Sequence, residues 1–264
     1  MNKLLDFFAY THTPFLHARG KQGTAALLVE LETTPGQRIL EIGFGTGQTL
    51  LDIAARWPTV ELYGAEKSAL MLDTARRRLR FCGIKNVNLQ LYTTLLPFPD
   101  GFFDTVFCES VLAIVPDETL PGLFKEINRV LKPGGRLCCN ESLWLPETNA
   151  ETIRAINQQC LNAFGIVQAS ATYPYPADWQ GLGSLGGFHL EKIQSLEIIR
   201  ISTIQRVRLR SALFSRIGWI KGRLIPKLNR ANRQWRKNER LFEGYGRFLE
   251  GHLFVFKKTD WINA

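Results

Sequence analysis

Gly43, Gly45 and Gly47 are spaced G-x-G-x-G directly after a short apolar run, RILEI, and directly before a helical pattern, QTLLDIAARW. Glycine admits positive φ and lets the backbone approach a ligand closely. Open amides at a helix start favour a polar or anionic group. A plain turn uses the same spacing, so the loop is informative only with its neighbours. Glu41 stands two residues before the first glycine. Glu66 closes the next apolar run, about 20 residues past the loop, where a carboxylate can bind both hydroxyls of a ribose. A dinucleotide fingerprint reads G-x-G-x-x-G, whereas position 48 here is Gln, which argues against a nicotinamide dehydrogenase. The four histidines do not name a general base. His189 and His252 fall in strand-like runs and read as structural, while His12 and His17 lie in AYTHTPFLHARGKQGT, ahead of the first strand. The catalytic residue stays open, and no metal-ligating pattern is present: the five Cys include no C-x-x-C pair.

The elements that must position these residues alternate. RILEIGF, VELYGAE, NVNLQLY, FDTVFCES and RLCCNES read as strands. Between them, QTLLDIAARW, SALMLDTARRRLRFCG and PDETLPGLFKEINRVLKPGG read as helices, the second capped by Ser68 and ended by Gly83. TTLLPFPDG, between the third and fourth strands, reads as loop. Crossovers of this length predict a parallel sheet with right-handed connections. After residue 141, ETIRAINQQCLNAF reads as a helix, GIVQASATYPYPADWQGLGSLGG as loop with a short helix, FHLEKIQSLEIIRIS as a sixth strand and GHLFVFKKT as the last.

ILEIGFGTG, YGAEKS, LPFPDGFFDTV and LKPGGRL, in this order and spacing, resemble a class I S-adenosylmethionine-dependent methyltransferase of the small-molecule, ubiquinone/menaquinone-methyltransferase-like (type 11) group. The resemblance covers roughly residues 35–141. It implies S-adenosylmethionine as cofactor and S-adenosylhomocysteine as product. Gly43, Phe44, Gly45 and Gly47 match the loop that wraps the methionine end, and Glu41 the acid that supports it. Glu66 matches the ribose-binding acid, and Lys67 follows it beside the adenine. The family's acidic residue after the third strand is replaced here by Tyr92, with Thr93 and Thr94 as substitutes through backbone or hydroxyl groups. Glu109, ending the fourth strand, matches the position facing the methionine amine; a solvated loop carboxylate is the alternative. In resembling enzymes the N-terminal stretch often folds over the cofactor as a lid, making Tyr10, His12, Phe15, His17 and Arg19 candidate site residues; a capping helix with ordinary polar contacts is the alternative. Tyr173 and Tyr175 are either acceptor-pocket walls or loop aromatics. The Asn/Asp-Pro-Pro-aromatic motif of methyltransferases acting on exocyclic amines of nucleic acids is absent: that place reads CESVLAIVPD.

The expected fold is therefore α/β: a doubly wound, Rossmann-like, mostly parallel seven-stranded sheet with the last strand antiparallel, N-terminal lid helices and a basic helical insertion before the last strand. One methyltransferase domain, residues 1–264, is expected to divide into a lid (1–37), a cofactor-binding core (38–141), an acceptor-side loop and sixth strand (142–203), the insertion (204–250) and the last strand (251–258).

With 45% hydrophobic and 22% charged residues, the 264-residue chain is neither disordered nor fibrous. It holds no apolar run of the roughly 20 residues a membrane span needs. MNKLLDFFAY is too short and acidic for a secretory signal, and the odd cysteine count fits a reducing compartment, so a cytoplasmic location is expected. The net charge of +9 is uneven: residues 1–200 hold 18 basic and 20 acidic residues, and residues 201–264 hold 15 and 4. Residues 206–240 carry 12 Lys+Arg against Glu239 alone, interleaved with Leu213, Ile217, Ile220 and Leu224, then Leu228, Ala231 and Trp235 past Pro226. This predicts two amphipathic helices broken near Pro226, with Arg230, Arg233, Arg236, Lys237 and Arg240 on the polar side of the second. Three readings compete for them: a solvated face on helices packed against the sheet edge, peripheral contact with an anionic membrane surface, and nucleic acid. The functional expectation is methyl transfer to a small, apolar or lipid-like acceptor. The alternatives are an RNA or other acidic-substrate methyltransferase using the insertion, and a non-catalytic cofactor-binding partner protein. Oligomeric state is not legible.

Overall fold

The computed structural model describes residues 3–14, 20–196 and 206–259. Two helices, α1 (Lys3–Tyr10) and α2 (Gly20–Glu30), precede β1 (Arg38–Ile42). Then come α3 (Gln48–Arg56), β2 (Glu61–Glu66), α4 (Ala69–Cys82), β3 (Val87–Leu91), β4 (Phe103–Glu109), α5 (Leu120–Val130) and β5 (Leu131–Trp144). The second half holds α6 (Ala150–Phe164), α7 (Pro176–Leu185), β6 (Phe188–Ser195), α8 (Arg206–Leu224), α9 (Pro226–Tyr245) and β7 (Leu249–Lys258).

The strands form one sheet in the order β3-β2-β1-β4-β5-β7-β6. β1 to β5 pair in parallel and the last strand, β7, is antiparallel, as expected; it inserts between β5 and β6. Side chains alternate across each strand. Leu40, Ile42, Val106 and Leu137 point into one apolar layer with α5, α6 and α7, while Ile39, Phe107, Cys138 and Val255 point into the other with α2, α3 and α4. Strands covered on both faces read as near-continuous apolar runs, which is why β1 and β4 stand out in the sequence. The connection order reverses between β1 and β4, so their carboxyl ends open a crevice.

Local signals act as the residues predict. Ser68 Oγ accepts from Met71 N–H at 3.3 Å to cap α4, and Gly83 closes it at φ 83°. Pro97 and Pro99 keep the β3–β4 connection from forming a helix. Arg129 holds that loop instead, donating to the Leu96 and Phe98 carbonyls at 3.1 and 2.9 Å. LKPGG does more than stop α5. The strand already begins at Leu131, and the pairing jumps from Phe103↔Leu131 to Thr105↔Arg136, leaving residues 132–135 as a bulge.

The basic insertion differs from expectation in which face it buries. α8 packs on α4, α3 and α1 rather than on the sheet edge. Its inner face is Ser211, Phe214, Gly218 and Gly222; the Leu213, Ile217, Ile220 and Leu224 stripe is exposed. The reason is backbone approach. A Cβ at Gly218 would lie 2.2 Å from the Thr11 carbonyl oxygen, and one at Gly222 would lie 2.9 Å from Thr11 Cγ2. Only a face of small residues can come that close. In α9, Leu228 and Ala231 are half-buried and Arg230 and Arg233 exposed, while the side chains of Trp235, Arg236, Lys237 and Arg240 lie outside the described residues. Among the described residues no helix is long and apolar enough to cross a membrane.

Candidate functional site

β1, β2 and β4 each end in the crevice with a chemical group. After β1 the chain turns through Gly43, Gly45 and Gly47 at φ 70°, 51° and 77°. Two of these glycines are also required by space: a Cβ would lie 2.4 Å from Val111 Cγ2 at Gly43 and 2.8 Å from Ala75 Cβ at Gly47. α3 begins at Gly47 with no side-chain cap, leaving its first amides to other acceptors. Phe44 is buried against Gly64 of β2, where a Cβ would lie 2.6 Å from its ring.

The loop and the ends of β2 and β4 line a cavity of about 320 Å³. Glu41, Glu66 and Glu109 all reach it and all are buried. Glu66 Oε2 accepts from Gly45 N–H at 3.0 Å, and Oε1 from the Lys67 and Ser68 N–H groups at 2.8 and 2.9 Å. A carboxylate offers about four lone pairs, so three are engaged and about one remains for a ligand hydroxyl. Glu109 accepts from Thr49 Oγ1 at 2.8 Å, Thr24 Oγ1 at 3.0 Å and Asn140 Nδ2 at 3.3 Å. It is thus a fixed, buried carboxylate rather than a solvated one. Glu41 Oε2 is buried without a hydrogen-bond partner. Burial, reinforced by Glu109 and Glu66, holds the Glu41 carboxyl well above the usual carboxylate range. Burial likewise raises Glu66, against its three backbone donors.

Lys67 also lines the cavity, its ammonium 5.4 Å from the centre of the Tyr92 ring. Tyr92 stands where an acid was expected and presents a buried aromatic wall. Thr93 and Thr94 are exposed and do not line the cavity, because the chain turns outward after Tyr92. Leu5 of α1, Met71, Val111, Ile114, Val115 and Ile166 form the apolar part of the wall, and Thr46, Gln48, Thr49, Ser68 and Ser110 add polar groups.

The N-terminal segment meets the site through residues other than those expected. Leu5 reaches the cavity and Thr24 of α2 holds Glu109. Tyr10 is half-exposed and outside the lining. His12 is buried, its ring stacked on Phe214 at 4.1 Å with Nδ1 bonded to the Phe214 carbonyl at 3.0 Å. Burial lowers its pKa, and it joins the N-terminal segment to α8 rather than facing the cavity. Phe15, His17 and Arg19 lie outside the described residues. Tyr173 and Tyr175 pack against the core as loop aromatics. The Tyr175 hydroxyl donates to the Thr148 carbonyl at 2.9 Å and the Tyr173 carbonyl accepts from Trp179 Nε1 at 3.0 Å. From their stretch it is Ile166 that reaches the cavity. His189 and His252 sit in β6 and β7.

Two supporting residues escaped sequence reasoning. Arg78 of α4 is fully buried beneath the glycine loop. It donates to the Thr46 carbonyl at 2.8 Å, Gln48 Oε1 at 3.0 Å, the His12 carbonyl at 2.7 Å and Ser211 Oγ at 2.6 Å. One guanidinium therefore ties the loop, the N-terminal segment and α8 together, and burial lowers its pKa to about 10. The signal was present: Arg78 continues the buried Met71, Ala75, Leu79 and Cys82 face of α4 inside an Arg-rich run. Glu141 of β5 is buried and accepts from Val111, Leu112 and Ala113 N–H, each at 3.1 Å, which holds the turn forming one cavity wall.

The residues fit a cofactor carrying cationic and ribose groups. Three carboxylates surround the loop, and Lys67 is the only cation among the described lining residues. An ammonium or sulfonium gains from that excess; a pyrophosphate would be repelled by it.

A family model described as a methyltransferase domain matches residues 39–135. Demethylmenaquinone methyltransferase of Symbiobacterium thermophilum is 41% identical over 111 residues, covering 41% of this chain and 43% of that protein. The chain thus spans less than half the length of that relative. The uncharacterized methyltransferase YdaC of Bacillus subtilis is 31% identical over 135 residues, covering 51% of this chain and 72% of that protein. A putative sarcosine dimethylglycine methyltransferase from Galdieria sulphuraria has the same fold, with a TM-score of 0.65 at 16% identity over 90% of this chain and 85% of that one. The loop at the β1–β4 reversal, the acid ending β2 and these relatives place the chain in the class I S-adenosylmethionine-dependent methyltransferase family.

Proposed function

We propose that this protein transfers a methyl group from S-adenosylmethionine to a small apolar acceptor. The observation that carries the reading is the cavity itself: three buried carboxylates around positive-φ glycines, completed by an apolar wall. Glu66 and the glycine amides would hold the ribose and methionine parts, with Glu41 and Glu109 facing the cationic end. Tyr92 and Met71 offer apolar contact to the base. Bound there, the cofactor supplies an electrophilic methyl, and the protein aligns the acceptor with it and excludes water.

No histidine is among the described lining residues. Methylation of a quinol carbon or oxygen releases one proton, and the titratable groups at hand to take it include the carboxylates that line the cavity. The apolar wall and the similarity to a demethylmenaquinone methyltransferase support a prenylated quinol or comparable lipid. Calorimetry with S-adenosylhomocysteine should show saturable binding. Labelled S-adenosylmethionine should pass its methyl to a component of a lipid extract. Folded protein that binds neither nucleoside overturns the reading; binding without turnover on any acceptor assigns a non-catalytic role.

A further inference from the structure

We propose that the outward face of α8 docks onto an anionic membrane surface. Leu209, Leu213, Ile217, Ile220 and Leu224 recur along α8 at steps of three and four, and all are exposed, Leu209 at 62% and Leu224 at 75%. An amphipathic helix ordinarily turns such a stripe to the core. Here the core side is already filled by Ser211, Phe214, Gly218 and Gly222, whose close contact with Thr11 and His12 fixes the rotation of the helix.

Exposed cations border the stripe on both sides. At about 100° per residue, Arg216 and Arg223 fall along one edge and Arg210 and Lys221 along the other. Trp219 lies on the first edge with the Arg223 guanidinium 3.9 Å from the centre of its ring. Indole and guanidinium are both favoured at the depth where acyl chains meet headgroups. An aliphatic ridge between two cationic edges is the form of a helix lying in a membrane interface, its apolar chains among the acyl chains and its cations at lipid phosphates.

Charge decides against the other occupants. A nucleic acid rewards the cations but leaves the five aliphatic side chains in water. A second copy sets cation against cation, since residues 206–240 hold 12 Lys+Arg and one acid. The stripe also borders a cavity of about 770 Å³ between α1 and α8 with a mixed lining, of which Phe7, Phe8, Pro14, Leu213 and Trp219 are the large apolar members. Docking would bring lipid to the helix that carries Leu5 into the cofactor site. The docking face itself stands independently of the methyl-transfer reading.

The test is flotation of the full chain with vesicles of phosphatidylcholine alone and of phosphatidylcholine mixed with phosphatidylglycerol. The wild type should float with the anionic vesicles and at least about tenfold more weakly with the neutral ones. Leu213→Asp combined with Ile220→Asp should lose at least about tenfold in binding. Arg216→Glu combined with Lys221→Glu should lose roughly fivefold per cation or more. Circular dichroism checks folding, and Leu224→Asp, at the exposed end of the helix, repeats the apolar arm if the double variant is unfolded. Failure of the wild type to float, or unchanged flotation of a folded aspartate variant, overturns the proposal. So does a wild-type dimer that the aspartate substitutions dissociate. Single-stranded RNA binding without flotation, lost in the charge variant and kept in the aspartate variant, overturns it as well.

Discussion

Glu41, Glu66 and Glu109 crowd three carboxylates into one partly apolar cavity, and that crowding has a consequence in protons. Burial raises Glu41 and Glu66 above the usual carboxylate range in the free protein. A cationic cofactor favours the ionised forms, so binding should release protons, and affinity should rise with pH until both groups are ionised. Calorimetry in two buffers of different ionisation enthalpy checks this; equal apparent enthalpies would contradict it. Glu66→Ala removes the acceptor of three backbone amides and, on the proposed function, the contact to the ribose. S-adenosylhomocysteine affinity should fall about 10- to 100-fold, since a hydrogen bond to a charged group contributes about 1.5–3 kcal/mol. These acids could be picked out from the sequence because Glu66 and Glu109 close strands and Glu41 stands in β1 two residues before the glycine motif. Thr93 and Thr94 carried no such constraint, and the chain takes them out of the cavity.

At the scale of elements, Arg78 decides how α8 and the N-terminal segment are joined to the glycine loop. Arg78→Met would leave the Thr46 and His12 carbonyls without their buried donor, at a cost of about 3 kcal/mol. Urea unfolding should register that loss, and cofactor affinity should weaken with it, because the carbonyl of Thr46 belongs to the loop. Arg78→Lys should recover only part, as one ammonium cannot reproduce the forked geometry of a guanidinium. A variant as stable as wild type would show that α8 is held by Phe214 and the glycines alone. The helices themselves were legible: their caps and stops are local, as Ser68 and Gly83 show for α4. The role of Arg78 was not, because its partner Ser211 is 133 residues away in sequence.

For the whole molecule, the distribution of buried acids sets the response to pH. Burial raises Glu141 to about 7, against the three amides that favour its charged form. A carboxyl with a folded pKa above its unfolded value of 4.5 binds more protons in the native state. Stability is therefore highest below about 4.5 as far as this group is concerned, and falls as pH rises from there through about 7. Glu141→Gln should flatten the fall in urea-unfolding free energy across that window, while costing some stability in the turn over residues 111–113. A fall of unchanged steepness would assign the pH response elsewhere. The whole-chain charge is equally uneven: the near-neutral body builds the sheet and the cavity, and the excess of cations lies in the α8–α9 insertion.

The glycine loop and the acids ending β2 and β4 were legible in the sequence by itself, because their signals are short-range. A strand of apolar residues, a glycine turn that no other residue can make and an acid closing the next strand need no distant partner to be recognised. A parallel sheet follows from the same alternation, while the strand order, with β7 inserted between β5 and β6, is set by the tertiary structure. The tertiary structure alone decided which face of α8 turns inward. The apolar stripe that periodicity assigns to a core is left outside, because the close approach of Gly218 and Gly222 to Thr11 admits no side chain. It also decided that His12 joins elements instead of facing the cavity. Helical periodicity shows that two faces differ, but which one is buried depends on a surface built from residues far away in the chain.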